Sequence, residues 1–291
     1  MVPAADKRAA LADRIRRREL VVAPGVYDMI STRIADRQQH AALYMTGYGT
    51  VASYLGLPDA GLASSTDMVL RAGHMAGGSN TPIIADADTG YGGLLNVQHT
   101  VRGYEAAGVA AIQLEDQEFP KKCGHTRGRR VIARDEMVKK IRVACEARQD
   151  RNFLIVARTD ARTGLGLDEA IARALAYRDA GADILFVESP ESEDEFAAIA
   201  AAIDAPLLAN MVEGGRSPLL PRARLAELGF ALAIYPGSGM LAAAAALERT
   251  YGCIAETGST AEGDLPMYAL DDMNTLMDFA SVWAFDDKWA E

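Results

Sequence analysis

The sequence predicts an α/β chain folded as a (β/α)8 barrel of the TIM type, with an additional C-terminal helical segment. Three observations predict it. The first is a weak internal repeat. Tyr104 to Glu115 (YEAAGVAAIQLE), Tyr177 to Glu188 (YRDAGADILFVE) and Leu225 to Pro236 (LAELGFALAIYP) each read as a helix end, a glycine and a short apolar strand. Glycine at 108, 181 and 229 suits a left-handed helix stop, and three matches in register point to repeated αβ units. The second is the style of the other strand candidates, 21–24 (VVAP), 41–46 (AALYMT), 82–86 (PIIAD), 153–158 (FLIVAR) and 206–210 (PLLAN). They are apolar runs without alternation, as parallel strands covered on both faces require. The third is length: 291 residues lie close to the ~250 of a single barrel. Eight strand–helix units favour a closed barrel over the structural alternative, an open doubly wound sheet.

Taken in order, the chain opens on an amphipathic stretch with Lys7, Arg8 and the basic run Arg14 to Arg18, interrupted by Asp6, Asp13 and Glu19. It reads as a solvated helix face rather than a targeting signal. Helices are expected at 96–107, capped by Asn96, and at 168–180, opening at Asp168. The barrel is placed at 1–255 and a helical extension at 256–291. In that extension Leu276 to Trp289 reads as one helix, a candidate for exchange between subunits.

The composition is that of an ordinary globular protein, 49% hydrophobic and 24% charged. A formal net charge of −10 disfavours nucleic acid and anionic membranes as partners. An anionic small molecule stays admissible, because a local metal or arginine can dominate a pocket. Nothing approaches ~18 uninterrupted apolar residues, and no signal peptide precedes the first polar residues. Three cysteines are too few for a disulfide framework. The expected compartment is the cytoplasm.

Barrel side chains at the C-terminal strand ends converge on one mouth, and those residues are chemically unusual here. The candidates are Tyr44, Thr46, Gly47 and Tyr48 after the second strand, and Asp86 and Asp88 after the third. Glu115 and Asp116 end the fourth, Arg158 and Asp160 the fifth, Glu188 the sixth and Asn210 the seventh. So many acids at one mouth call for a cation, since crowded like charges raise one another's pKa. All-oxygen donors without a histidine cluster suit Mg2+, or Mn2+, far better than zinc. The competing reading is that these acids cap helices or pair with Arg158. Glycines at 47–49 and 90–93 let backbone N–H groups approach a ligand oxygen, and the Arg158 fork suits a carboxylate or enolate.

The stretch Pro120 to Arg130 (PKKCGHTRGRR) is basic and glycine-punctuated in an otherwise acidic chain. That suits a loop over an anionic substrate. It supplies Lys121, Cys123 and His125 as catalytic candidates and Gly124 as a substrate contact. Neighbouring cations lower a thiol pKa, which makes Cys123 a proton-exchanging group; His125 either transfers protons or orders the loop. Cys145 and Cys253 read as core, and His40, His74 and His99 as structural or exposed.

At this point the sequence resembles the isocitrate lyase / phosphoenolpyruvate mutase superfamily, over nearly all of the chain to about residue 255. The matching stretches are PGVYD (24–28), TGYG (46–49), LGLPD (55–59), ADADTGYGG (85–93), QLEDQ (113–117), KKCGH (121–125), ARTDA (157–161) and NMVEGG (210–215). The resemblance implies a homotetramer with an exchanged C-terminal helix. It implies Asp86 as direct metal ligand, with Asp59, Asp88 and Glu115 holding water on the metal. Thr46, Gly47 and Arg158 would grip a pyruvyl group, and Tyr44, Glu188 and Asn210 would line the pocket.

KKCGH is the form of this loop found in lyases of the superfamily. Phosphonomutases mostly lack the cysteine, although a carboxyphosphonoenolpyruvate subgroup keeps it and is therefore the rival. Two departures bear on substrate. Citrate-type lyases carry a Ser-x-x-Arg-like feature where this chain has Pro236-Gly-Ser-Gly-Met240, and a threonine near Val212. Their loss argues against a third substrate carboxylate. The expected reaction is cleavage of a small 2-hydroxy diacid, an alkylmalate ahead of 2-methylisocitrate, to a pyruvate-type 2-oxoacid and a carboxylate. Tyr44 or a metal-held water would act as base and Cys123 as proton donor. A non-catalytic acid-binding protein would have no use for Cys123 and a basic lid.

Overall fold

Eight parallel strands form in a computed structural model that describes residues 1–291 apart from positions 125, 127, 262 and 291. They are β1 (Val21–Val26), β2 (Leu43–Met45), β3 (Ile83–Asp86), β4 (Ala111–Glu115), β5 (Leu154–Thr159), β6 (Ile184–Val187), β7 (Leu207–Asn210) and β8 (Leu232–Tyr235). Each pairs with its neighbour in sequence, and β1 closes on β8 with Val21 opposite Leu232 and Pro24 opposite Tyr235. Closure rules out the open sheet. The chain divides into two compact units, Met1–Gly239 and Met240–Glu291, and the whole barrel lies in the first.

The repeat read from the sequence has one physical cause. At Gly108, Gly181 and Gly229 φ is +87°, +106° and +86°. In each case the glycine N–H donates to the carbonyl three residues back, and the next N–H donates five back: Val109 to Tyr104, Ala182 to Tyr177, Phe230 to Leu225. That is the Schellman stop, which only glycine adopts without Cβ strain.

Alternation inside the strands sorts two apolar layers. Leu154 and Val156 of β5 and Ile184 and Phe186 of β6 point into the barrel; Ile155, Ala157, Leu185 and Val187 point outward to the helices. Leu11, Ala12 and Ile15 of the helix Ala4–Arg16 join the interior cluster and plug the barrel's N-terminal end. The expected solvated face of this helix is partly wrong. Lys7 and Arg8 are buried, donating to the carbonyls of Ala76 and Ser79 and to those of Val109 and Glu105. Those carbonyls lie at or just past helix ends, where orphan acceptors and the negative end of the dipole attract a cation.

Further expectations need correction. The helix placed at 96–107 runs Leu94–Ala106, and Asn96 is its third residue, its Oδ1 accepting from Gly93 N. The helix expected to open at Asp168 runs Leu167–Asp179, with Gly166 before it. The single helix over 276–289 is two, Leu270–Leu276 and Phe279–Trp289, because Asp278 takes φ +63° between them. Cys145 is half-buried rather than core, its Sγ donating to Gly181 O; Cys253 is half-buried too. Among the described residues no helix is long and apolar enough to cross a membrane.

Candidate active site

The period-2 rule that sends Ile84, Phe186 and Leu208 inward sends Asp86, Glu188 and Asn210 inward one step further along. The same step carries Tyr44 to Thr46, Ala111 to Gln113 and Glu115, and Val156 to Arg158. The apolar interior thus ends in one polar layer at the C-terminal mouth, and all seven of those polar residues are buried. Strand register sets them side by side, Asp86 opposite Gln113 and Glu115 opposite Arg158.

Arg158 lies at the centre of one half. Its Nε and Nη2 donate to Asp160 Oδ2 and Oδ1 at 2.8 and 2.9 Å. Nη2 also lies 3.2 Å from Glu188 Oε2, and Nε lies 3.4 Å from Glu115 Oε2. Asn210 Nδ2 and Ser189 Oγ donate to the two Glu188 oxygens. Burial alone would lower the Arg158 pKa, but Asp160, Glu188 and Glu115 outweigh it and push it well up, so the guanidinium keeps its charge. The competing sequence reading, acids paired with Arg158, is therefore partly realised.

The other half is built on Asp86. Its Oδ1 accepts from Asp88 N at 3.0 Å and lies 3.5 Å from Gln113 Nε2. Asp86 and Asp88 do not share a face as two residues of one strand would. The strand stops at Asp86, and Asp88 takes φ +48°, which turns its carboxylate to Lys121, 2.8 Å away. Lys121 Nζ also pairs with Asp59. Burial would lower the Lys121 pKa, yet Asp88, Asp59 and Asp86 raise it well above its ordinary value. Lys121 is thus a fixed cation between two carboxylates. Burial, followed by Asp86 and Asp59, lifts Asp88 to about 6 against the opposing pull of Lys121, and burial also raises Glu115.

Tyr44 stands in this layer as a hydrogen-bond donor. Its hydroxyl donates to Gln113 Oε1 at 2.8 Å, and burial, helped by Asp86, pushes its pKa well up. It holds Gln113 in place. Gln113 is a residue the sequence reading passed over; a polar side chain two places before Glu115 on the same inward face was the available signal. Asp116 and Asp160 were counted among the acids, but their task is support. Asp116 is fully buried and accepts from Thr159 Oγ1, Asp160 N, Arg173 Nη1 and Tyr177 OH.

The glycines after β2 form a helix start rather than a turn. Thr46 caps the helix Gly47–Leu55, its Oγ1 3.5 Å from Gly49 N, so the first-turn N–H groups open at the mouth. A Cβ on Gly47 would sit 2.5 Å from Asp86 Oδ2. The Tyr48 side chain is exposed, which leaves its backbone as the part nearest the site.

Residues 121–124 of the basic stretch lie directly over this layer. A Cβ on Gly124 would overlap Arg158 Nη2 and sit 3.0 Å from Glu188 Oε2. Cys123 N donates to Asp59 O at 3.1 Å. Gln117 pins Lys122 through both of its amide atoms, 3.0 Å from Lys122 N and 2.8 Å from Lys122 O. Cys123 is partly buried, and His125 lies outside the described residues.

The donor set fits a hydrated hard cation. Among the described residues no three acidic, imidazole or thiol groups converge tightly enough to bind one ion directly. Mg2+ needs no such cage, since it keeps several waters and takes one or two carboxylates. Among the described residues Glu115 Oε1 is buried with no hydrogen-bond partner, which a water held on such an ion would satisfy.

Comparison with known proteins agrees with this geometry. The family profile for phosphoenolpyruvate phosphomutase matches residues 11–255. The chain is 45% identical over 282 residues to 2,3-dimethylmalate lyase of Eubacterium barkeri, covering 97% of this chain and 98% of that one. It is 39% identical to 2-methylisocitrate lyase of Halalkalibacterium halodurans over 95% of this chain and 91% of that one. Among solved structures, oxaloacetate acetylhydrolase in complex with 3,3-difluorooxalacetate superposes with a TM-score of 0.93 at 36% identity, over 99% and 98% of the two chains. The layered acids, the Arg158 fork and the overlying KKCG segment are the mouth of a member of the phosphoenolpyruvate mutase / isocitrate lyase superfamily, to which this chain belongs.

Proposed function

We propose that the chain is a divalent-metal-dependent carbon–carbon lyase that splits a 2,3-dimethylmalate-type 2-hydroxy diacid into pyruvate and a carboxylic acid. One observation carries this reading: the cysteine-bearing segment 121–124 seated on Arg158 and Glu188, above the acid layer. A Mg2+ or Mn2+ ion held by Asp86, with Asp59, Asp88 and Glu115 around it, would lower the pKa of the substrate's 2-hydroxyl.

The chain's own groups do the rest. Arg158 and the N–H groups at Gly47 and Tyr48 hold the carboxylate that becomes pyruvate's. Cleavage of C2–C3 passes the 2-hydroxyl proton to a water beside the buried Glu115 carboxylate, turns the C2–O bond into pyruvate's carbonyl and leaves an electron pair at C3. Cys123 Sγ supplies the proton to C3, which balances the products. The overlying segment excludes water, so the Arg158 field acts at low dielectric.

An alkylmalate suits the pocket better than a tricarboxylate. After β8, Pro236 to Met240 offers no arginine, and position 212 is a valine without a hydroxyl, so neither supplies a partner for a third carboxylate. 2-Methylisocitrate is the second substrate candidate. Phosphoryl transfer within one molecule is the second reading, favoured by the phosphomutase profile over residues 11–255.

Pyruvate release coupled to NADH oxidation tests the proposal. The panel is 2,3-dimethylmalate, other alkylmalates, 2-methylisocitrate, isocitrate and oxaloacetate, with Mg2+. Turnover of an alkylmalate that vanishes with chelator and with Cys123→Ser is expected. Silence on every diacid, with turnover of phosphonopyruvate, would replace the lyase by a phosphonomutase.

With this reading goes a homotetramer, as the family resemblance implies, and a place in the cytoplasm. Support for assembly comes from the C-terminal helices. Ser238–Thr257 buries none of its residues, and Phe279–Trp289 exposes Phe279, Val282, Trp283, Phe285 and Trp289, an apolar surface that a second copy would cover. Light scattering that gave a monomer mass would remove this part.

A further inference from the structure

We infer that Arg129 is a positioning residue that latches residues 121–124 and 128–130 of the basic segment onto the mouth and, through Asp160, fixes the guanidinium of Arg158. The role given to Arg158 rests on the lyase reading; the latch contact does not. Three cations of this segment have different fates. Arg130 is 80% exposed beside Glu118, and Lys122 reaches the segment's own Gly128 carbonyl. The Arg129 side chain is 2% exposed. Its Nη1 donates to Asp160 Oδ1 at 2.6 Å and its Nη2 to Thr163 Oγ1 at 2.7 Å.

The receptor is shared. Asp160 Oδ1 also takes Arg158 Nη2, and Oδ2 takes Arg158 Nε. Asp160 cannot follow Arg129 outward, because its own N–H is tied to the fully buried Asp116. The contact therefore forms only while the segment sits on the mouth.

Charge explains what the contact does. Without Arg129, one guanidinium faces Asp160, Glu188 and Glu115, three carboxylates within 3.4 Å. With Arg129 in place, Asp160 divides its charge between two guanidinium groups, and Arg158 keeps more of its field for an incoming carboxylate. The seat is incomplete: Arg129 Nε is buried with no hydrogen-bond partner among the described residues.

The test compares Arg129→Met and Arg129→Lys with the unaltered protein. The amides of Lys122 and Cys123 donate to Gln117 and Asp59, so their hydrogen exchange reports the seating without any substrate. Losing a charge-assisted pair should speed their exchange by about tenfold or more in the Met variant. The value of kcat/KM should fall by a similar factor of about ten with the acid the protein turns over. Tm should move by less than about 4 °C, and Lys, which keeps the charge but not the fork, should recover part of both losses. Unchanged exchange at 122 and 123 in the Met variant would overturn the latch. So would a kinetic loss that tracks a fall in Tm and that Lys does not relieve. If the unaltered protein cleaved no diacid while exchange still rose in the Met variant, the lyase reading would fall and the latch would stand.

Discussion

Gly47→Ala separates the site from the scaffold in a single methyl group. The added Cβ would lie 2.5 Å from Asp86 Oδ2 and 3.1 Å from its Cγ, so the carboxylate has to move by about 1 Å to restore ordinary contact. Two terms oppose each other in stability. Overpacking a buried site costs about 1–3 kcal/mol. Replacing glycine in the first turn of a helix, where φ is not positive, recovers about 0.4–1 kcal/mol by restricting the unfolded chain. The net loss is about 0–2.5 kcal/mol, too small to unfold the barrel. Asp86 has no such offset. Rotating it breaks its acceptance of Asp88 N–H and misplaces the residue assigned to hold the ion, so Mn2+ affinity should fall by about 10–100-fold. Calorimetric Mn2+ titration and thermal denaturation of the same samples measure the two effects. An alanine variant that bound Mn2+ at full strength and kept full turnover would refute the placement of the ion at Asp86.

Tyr44→Phe should lower stability by about 1–3 kcal/mol, because Gln113 Oε1 is left buried without its donor; kcat should stay within about tenfold, and complete inactivation would restore Tyr44 as a base. Asp36 accepts from Ser79, Asn80 and Thr81. Burial would raise its pKa, but those hydrogen bonds outweigh it and hold it below the ordinary aspartate value. A depressed folded pKa contributes stability above the unfolded value and loses it as pH falls through the folded one. Asp36→Asn should therefore cost about 1 kcal/mol at neutral pH, after discounting for partial exposure. Denaturant titrations should show the difference closing as pH drops through the depressed value, and a constant gap would refute the assignment. Removing divalent ions with chelator leaves Asp59, Asp86, Asp88, Glu115, Asp160 and Glu188 facing Lys121, Arg129 and Arg158. Oxalate binding should then weaken by about a hundredfold or more, and calorimetry showing equal affinity with and without the ion would contradict a metal-centred pocket.

Much of the barrel was legible because its constraints are local. The stops at Gly108, Gly181 and Gly229 are set by backbone sterics within six residues of chain, and a doubly covered strand has to be apolar throughout. Misread features depended on partners distant in sequence. Lys7 and Arg8 looked like solvent-facing cations until helix ends near residues 76–79 and 105–109 supplied their acceptors. Asn96 and Asp168 looked like caps because their chemistry is right, although the helices begin one or more residues earlier.

The site divides along the same line. Residue identity at the strand ends was enough to collect Asp86, Glu115, Arg158, Glu188 and Asn210, since the barrel brings all strand ends together whatever their spacing. Assigning tasks to them required distances. Composition does not distinguish an arginine that waits for substrate from one already held by Asp160. Nor does it separate a tyrosine base from a tyrosine that steadies Gln113. Arg129 was the least legible of all: of Lys122, Arg129 and Arg130, close together in sequence and alike in charge, Arg129 alone is drawn into the protein. What selects it is Asp160, thirty-one residues on, held rigid by Asp116 of the neighbouring strand end. The support for a reactive layer comes from the residues one step behind it, and a barrel draws those from several different strands.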